Sequence, residues 1–277
     1  MTDGSGDLKI VGNVIQSNAA GTGDGAGINL KNVNGEDVVA SPDDATGWWE
    51  IDIFNNIIVN NVAGNAGALA LQNAARVVIV NNTIANNDST ATAATALNTD
   101  LLSSNPRGAG VVSYKHTQAL LKAITVPNGQ FSEEWSQPTL TNNIIWQNRS
   151  FSWEMNTAGT SSALVPDFSS PNYHDLEVWG TNNQEYLNPK YSVLSDVTVA
   201  GAGYNDGTNV DGDPEFVDPY VNGPRAVLVE AEFSAQVGPL ATAVAFDEGG
   251  NFIDIEFGPL TQIGDYHITA LGSAASI

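Results

Sequence analysis

Apolar and polar positions alternate in short bursts along the first half of the chain, and the bursts repeat. "IFNNIIVNN" (53–61), "IVNNTIANN" (79–87) and "LTNNIIWQN" (140–148) each set β-branched residues between asparagines, and "IVGNVIQSN" (10–18) is a looser copy. Ile and Val favour strands and Asn does not, so each burst predicts two strands of three to five residues separated by a corner. A second pattern travels with the first. "GAGINL" (25–30), "NAGALAL" (65–71) and "RGAGVV" (107–112) are small-residue turns that lead into apolar strands, and "ARVVIV" (75–80) runs directly into an Asn pair. The unit is strand, Asn corner, strand, Gly/Ala corner, strand.

The spacing decides how these strands pair. Aligned on one Asn of each pair, the copies fall at Asn13, Asn56, Asn82 and Asn143, with separations of 43, 26 and 61. Solenoid repeats run from about 20 to 45 residues, so 26 is a bare coil and the longer gaps are coils carrying insertions. Two-residue hairpin loops are scarce inside the repeat, which disfavours antiparallel pairing of neighbours; a β-sandwich with Asn-rich turns is the alternative. In a solenoid, like strands stack about 4.8 Å apart and corner asparagines lie one above another. Asn tolerates the left-handed backbone of a sharp corner, and its amide can bond up and down a stack. Asn13, Asn56, Asn82 and Asn143 are therefore expected to form a structural ladder around a lumen filled with Ile, Val and Leu.

These repeats resemble those of right-handed parallel β-helix proteins, the pectate-lyase-like solenoids common among secreted bacterial proteins. The resemblance covers residues 8–148. It extends to "DGDPEFVDPY" (211–220) and "GDYHITALGSAASI" (264–277), which are similar to the closing segment of many such proteins, although "GSAASI" lacks the usual proline and aspartate. The expected fold is all-β: a single-stranded right-handed parallel β-helix solenoid with loop insertions and a C-terminal β-hairpin annex. The β-helix is placed at 1–224, with insertions at 36–50, 88–106 and 149–200. "ATAVAF" and "NFIDIEF" around "DEGG" place the hairpin annex and closing coil at 225–277. A short helix is expected within 114–125, with Leu120, Leu121 and Ile124 on one side. "MTDGSGDLK" carries neither a basic nor an apolar leader segment. The chain therefore reads as a trimmed or mature form whose first rung either continues a preceding region or docks onto another chain.

Charge and composition narrow the function classes. Of 277 residues, 9 are Lys or Arg and 31 are Asp or Glu, for a formal charge of -22. Such a surface repels phosphate backbones and anionic lipid, so nucleic acid is excluded as a partner. No apolar run approaches the roughly 20 residues of a membrane span, so membrane insertion is not expected. The chain has no cysteine, which removes disulfides, thiolate metal sites and Cys nucleophiles.

Candidate chemistry is sparse. Polygalacturonase-like hydrolases carry Asn-Thr-Asp, Asp-Asp, Gly-His-Gly and Arg-Ile-Lys motifs; here "NTD" (98–100) stands alone in a polar stretch. Tyr114, Lys115 and His116 could supply an acid and a base, or form the solvated face of the short helix. Asp206, Asn209, Asp211 and Asp213, with Glu215, alternate oxygen ligands around a glycine turn, a calcium candidate, or a plain Asx-turn. His116, His174 and His267 are too scattered for a zinc site. Trp48 and Trp49 end the acidic insertion "EDVVASPDDATGWWE" and are the carbohydrate-stacking candidates; their alternative role is to fold that insertion back onto the solenoid. "GTGDGAG" (21–27) leads into a strand, so it is a corner and not a phosphate loop.

The resemblance and the loops together point to a secreted or cell-surface β-helix that acts as a non-catalytic scaffold or binding module. Its partners would be a glycan, a surface protein or a second copy. It requires no cofactor, with calcium the one candidate ion. The alternatives are a polysaccharide lyase, hydrolase or epimerase acting through the irregular insertions, and a subunit of a head-to-tail fibre.

Overall fold

The computed structural model describes residues 2–124, 134–155, 162–167 and 173–216. The expected annex at 225–277 and most of the closing segment lie outside these residues. Within them the fold is predominantly all-β, built from four sheets whose strands recur in a fixed order along the chain. The first sheet stacks Leu8–Val11, Ile51–Phe54, Val77–Val80, Thr139–Thr141 and Pro189–Lys190 in parallel. The second stacks Val14–Gln16, Ile57–Val59, Thr83–Ala85, Ile144–Trp146, Val193–Leu194 and Val210–Asp211, also in parallel. The third stacks Ile28–Lys31, Leu69–Gln72, Val111–Tyr114 and Leu176–Trp179. A fourth joins Val62–Ala63, Asp88–Ser89 and Arg149–Met155, and ends in an antiparallel partner, Ser162–Pro166. Periodic parallel sheets of this kind make a solenoid-like arrangement.

Each rung repeats the same inward positions, so like side chains stack into columns. Ile53 lies over Ile79, then Leu140; Ile58 lies over Ile84, then Ile145 and Leu194. All are buried within one continuous core. Each such side chain stabilises the fold by about 1.5–3 kcal/mol. Ser113 interrupts the Leu71 column, and its hydroxyl is bonded to the Ser136 carbonyl, so the column carries no unpaired polar atom there.

The paired asparagines divide the work at the corners. The first of each pair takes the left-handed backbone: Asn55, Asn81 and Asn142 have φ of 54°, 57° and 55°, with Gly12 at 69° and Tyr191 at 53° in the outer rungs. The second of each pair bonds vertically. The main-chain N–H groups of Asn13, Asn56 and Asn82 donate to Oδ1 of Asn56, Asn82 and Asn143 at 3.0, 2.9 and 2.9 Å. Their Nδ2 atoms donate to the same oxygens at 3.0, 3.0 and 3.1 Å. Each amide also reaches back one rung: Asn56, Asn82 and Asn143 donate to the carbonyls of Ile10, Ile53 and Ile79, each at 2.8 Å. The run continues through Ser192 Oγ and Asn209 Oδ1, each accepting a main-chain N–H at 3.1 Å.

A second, parallel run follows five residues on. Asn18, Asn61 and Asn87 donate their main-chain N–H to Oδ1 of Asn61, Asn87 and Asn148 at 3.0, 3.0 and 3.1 Å, and Asn148 ends on the Asp175 carboxylate at 3.2 Å. The left-handed partners here are Ser17, Asn60, Asn86 and Gln147.

Two stretches differ from the sequence reading. Residues 88–106 are not simply a polar loop: Asp88–Ser89 pairs in the fourth sheet, and residues 88–91 are buried. Nor do all of the described residues of 149–200 leave the repeat. Leu176–Trp179, Pro189–Lys190 and Val193–Leu194 rejoin the stacks, because Ser192 supplies the corner acceptor that Asn supplies elsewhere. The short helix forms inside the expected stretch, as Gln118–Ala123. Its Leu120, with Ile124, packs against Val38, Ala45, Trp48 and Ala75, a small second core outside the strand columns.

Removing Asn82 strands two donors of Asn56 and the carbonyl of Ile53, all enclosed; removing Asn13 affects only the exposed first rung. Asn82→Ala is expected to destabilise the protein by about 3 kcal/mol and Asn13→Ala by about 1 kcal/mol, read by urea unfolding.

Candidate functional site

Insertion 36–50 forms a helix, Glu36–Ala40, and a 3-10 turn, Ala45–Gly47. Asp37 ties its two ends together: one carboxylate oxygen accepts from Gly35 N at 2.5 Å, the other from Asn34 Nδ2 at 2.7 Å and Trp49 N at 2.8 Å. Asp44 caps the turn by accepting from Thr46 N and Oγ1 at 3.0 and 2.6 Å. The two tryptophans part company at this point. Trp48 is 2% exposed, sits in the second core and donates from Nε1 to the Ser41 carbonyl at 2.7 Å. Its ring is committed to folding the insertion and offers no stacking face. Trp49 is half-buried, with Gly4 of the N-terminal segment against its indole edge. A side chain at Gly4, whose φ is +87°, would run into that edge at 2.9 Å.

The insertion and the outer face of the first sheet enclose a cleft of about 340 Å³ lined by Asp7, Lys9, Thr46, Trp49, Glu50, Asp52 and Arg76, among others. Lys9 and Asp52 face each other across neighbouring strands and pair at 3.0 Å. Arg76 pairs with Glu50 at 2.5 Å and donates to the Thr46 and Trp48 carbonyls, each at 3.2 Å. Glu50 N donates to Asp7 at 2.9 Å. The lining therefore mixes three acids with two of the chain's nine bases, beside Trp48 and Trp49. Such a surface is rich in hydrogen-bonding groups and nearly balanced in charge. It suits a neutral polyhydroxylated ligand better than an anion.

The other candidates do not assemble. Tyr114 ends a strand and donates to Asp24 at 3.2 Å. Burial, reinforced by Asp24 and Glu177, pushes its phenol well above the usual range, so it stays neutral. Lys115 pairs with Glu134 at 3.6 Å. His116 is 3% exposed and neither ring nitrogen has a partner among the described residues; burial pushes its pKa down to about 4. The three residues precede the helix rather than forming its solvated face, and they do not converge on one cleft. The calcium candidates are also spent separately. Asp206 pairs with Lys190 and accepts from Thr208 N at 2.9 Å. Asn209 belongs to the corner ladder, Asp211 lies on an edge strand, and Asp213 accepts from Glu215 N at 2.8 Å. Among the described residues, no group of three or more His, Asp or Glu is placed to hold a metal ion.

Two networks escaped the sequence reading. On the outer face of the third sheet, Arg107 pairs with Glu177 at 3.3 Å and lies 4.8 Å over the Trp179 ring, which meets Tyr114 edge-on. In the fourth sheet, Arg149 makes a two-pronged pair with Asp88 at 2.7 and 2.6 Å, both residues being buried. Neither pair could be found without the strand register that brings residues 61 and 70 positions apart together.

No family model, no curated protein and no solved structure matches the chain. No helix among the described residues is long and apolar enough to cross a membrane.

His116 gives a pH signature. Its folded pKa of about 4 lies below the ordinary 6.5, so the unfolded chain binds the proton first. The contribution is complete above pH 6.5 and is lost as pH falls toward 4, by up to about 3 kcal/mol. The difference in urea stability between the wild type and His116→Leu is expected to change across that window and to be flat above pH 7.

Proposed function

We propose that the chain is a right-handed parallel β-helix of the pectate-lyase-like kind, exported to the medium or the cell surface, and that it works as a non-catalytic module binding a neutral glycan. The stacked parallel rungs and the Asn corners support the β-helix reading. The observation that carries the binding role is the cleft between insertion 36–50 and the first sheet. Its rim of paired charges offers donors and acceptors at fixed positions, and Trp49 adds an aromatic edge. Fixed polar groups on a rigid support lower the ordering cost of binding.

A binding role is favoured over turnover because, among the described residues, acids and bases that lie close together are tied in pairs: Arg76 with Glu50, Lys9 with Asp52, Arg107 with Glu177 and Arg149 with Asp88. General acid–base chemistry needs two groups free to exchange protons with one substrate.

A glycan array followed by calorimetry tests this. A neutral oligosaccharide is expected to bind without being cleaved. Arg76→Ala and Trp49→Ala should each weaken it about tenfold, or about 1.4 kcal/mol, with circular dichroism unchanged. Cleavage of the bound sugar, or binding indifferent to both substitutions, would contradict the proposal.

A further inference from the structure

Two indole N–H groups belong to neighbouring residues of insertion 36–50, and they are treated differently. Nε1 of Trp48 donates to the Ser41 carbonyl at 2.7 Å. Nε1 of Trp49 is sealed from solvent and has no acceptor among the described residues, although Trp49 lines the cleft. A buried donor left unpaired is costly, because its bond to water is lost and nothing replaces it. In the lining of a cleft, such a group is a place for an acceptor brought from outside.

The seal is a short bridge of chain. Residues 3–6 pass over the indole, with Gly4 against its Cδ1–Nε1 edge; a Cβ on Gly4 would lie 2.9 Å from both atoms. The bridge is anchored on both sides. Thr2 accepts from Glu36 N at 3.2 Å and donates from Oγ1 to the Asn32 carbonyl at 3.2 Å. Asp7 accepts from Glu50 N at 2.9 Å, and Leu8 N donates to the Glu50 carbonyl at 3.0 Å. Between these anchors the hold is slight: Ser5 bonds the Val33 carbonyl at 2.9 Å from N and 3.4 Å from Oγ. Gly4 and Gly6 stand at φ of +87° and +76°, and nothing lies within 4 Å of where a Cβ on Gly6 would be. Glycine passes between backbone regions closed to other residues. The two glycines can therefore hinge the bridge without moving either anchor.

We propose that the Gly4–Gly6 bridge is a movable cover over the cleft, and that a ligand oxygen takes the Trp49 indole N–H when the cover swings aside. The cleft then selects for a hydroxyl or ring oxygen placed at that one donor, and Trp49 acts by hydrogen bonding rather than by stacking. The closed cover keeps an unpaired donor beneath it, so a ligand that pairs the donor shifts the population toward the open form. This inference rests on the neutral-glycan reading for its ligand, and not for the motion.

The motion is read first in the sugar-free protein. In the full-length chain labelled at the indole nitrogens, the Trp48 and Trp49 signals are assigned by Trp48→Phe and Trp49→Phe, and their hydrogen exchange is followed by NMR. The Trp49 N–H is expected to exchange roughly a hundredfold faster than the Trp48 N–H, since local opening frees the first and only loss of the second core frees the other. Calorimetry with the neutral oligosaccharides of the array reads the coupling. Gly4→Ala sets a methyl group against the indole and holds the cover off, so it should tighten binding about fivefold by raising the open fraction. Trp49→Phe keeps a ring and removes the donor; it should weaken binding about tenfold, and Gly4→Ala should then add nothing. Exchange at Trp49 as slow as at Trp48 would overturn the proposal whatever the sugars do. Equal affinity of Gly4→Ala and the wild type, the same gain in the double variant, or wild-type affinity in Trp49→Phe would overturn it and leave glycan binding standing. Failure of every neutral sugar to bind the wild type and Gly4→Ala alike would overturn the glycan reading, and with it the ligand named here.

Discussion

A chain that turns sharply several times per rung leaves main-chain N–H groups at every corner, and in the inner rungs those groups are buried. Each such group costs about 1–3 kcal/mol if left unpaired. Strand ladders cannot satisfy them, because the chain is leaving the sheet there. The asparagine carboxamide can: its oxygen accepts the N–H of the preceding rung while its nitrogen donates to the preceding rung's carbonyl. The fold depends on this arrangement, and it explains why Asn and not Ser or Asp dominates the pairs. One side chain must both donate and accept at once.

The same requirement accounts for how much of the fold could be read from residues alone. Spacing located Asn13, Asn56, Asn82 and Asn143, and the alternation of Ile and Val located the strands of the first two sheets. The division of labour within each pair was not legible, since two adjacent asparagines look alike until one is seen at a φ near 55° and the other under the next rung. The parallel run through Asn18, Asn61, Asn87 and Asn148 lay inside the same quoted segments, at a constant offset of five. That offset was the available signal. Beyond residue 148 the pattern fades because function at the corner outlasts identity: Ser192 and Asp175 accept where Asn did.

The candidate site was legible in part. Trp48 and Trp49 do mark a cleft, but adjacency in sequence could not say which ring is enclosed. The secondary core of Val38, Ala75 and Leu120 claims Trp48, and its members come from three distant segments. The calcium pattern has a second use in the described residues. Asp and Asn at short spacing serve turns and corners as readily as cations, and here Asn209 serves the ladder. The ion pairs of Arg149 and Arg107 depend wholly on register, which short-range patterns do not encode.

Rigid corners and a continuous apolar column make a support that holds surface groups still. The cleft beside insertion 36–50 sits on the flank of that support. The whole account stands on amide-to-amide bonding between rungs, and native-state hydrogen exchange reads that bonding residue by residue. The main-chain amides of Asn56, Asn61, Asn82 and Asn87 are predicted to exchange only with opening free energies close to global unfolding. Exchange at rates typical of exposed turns would contradict the ladder and the stacked architecture with it.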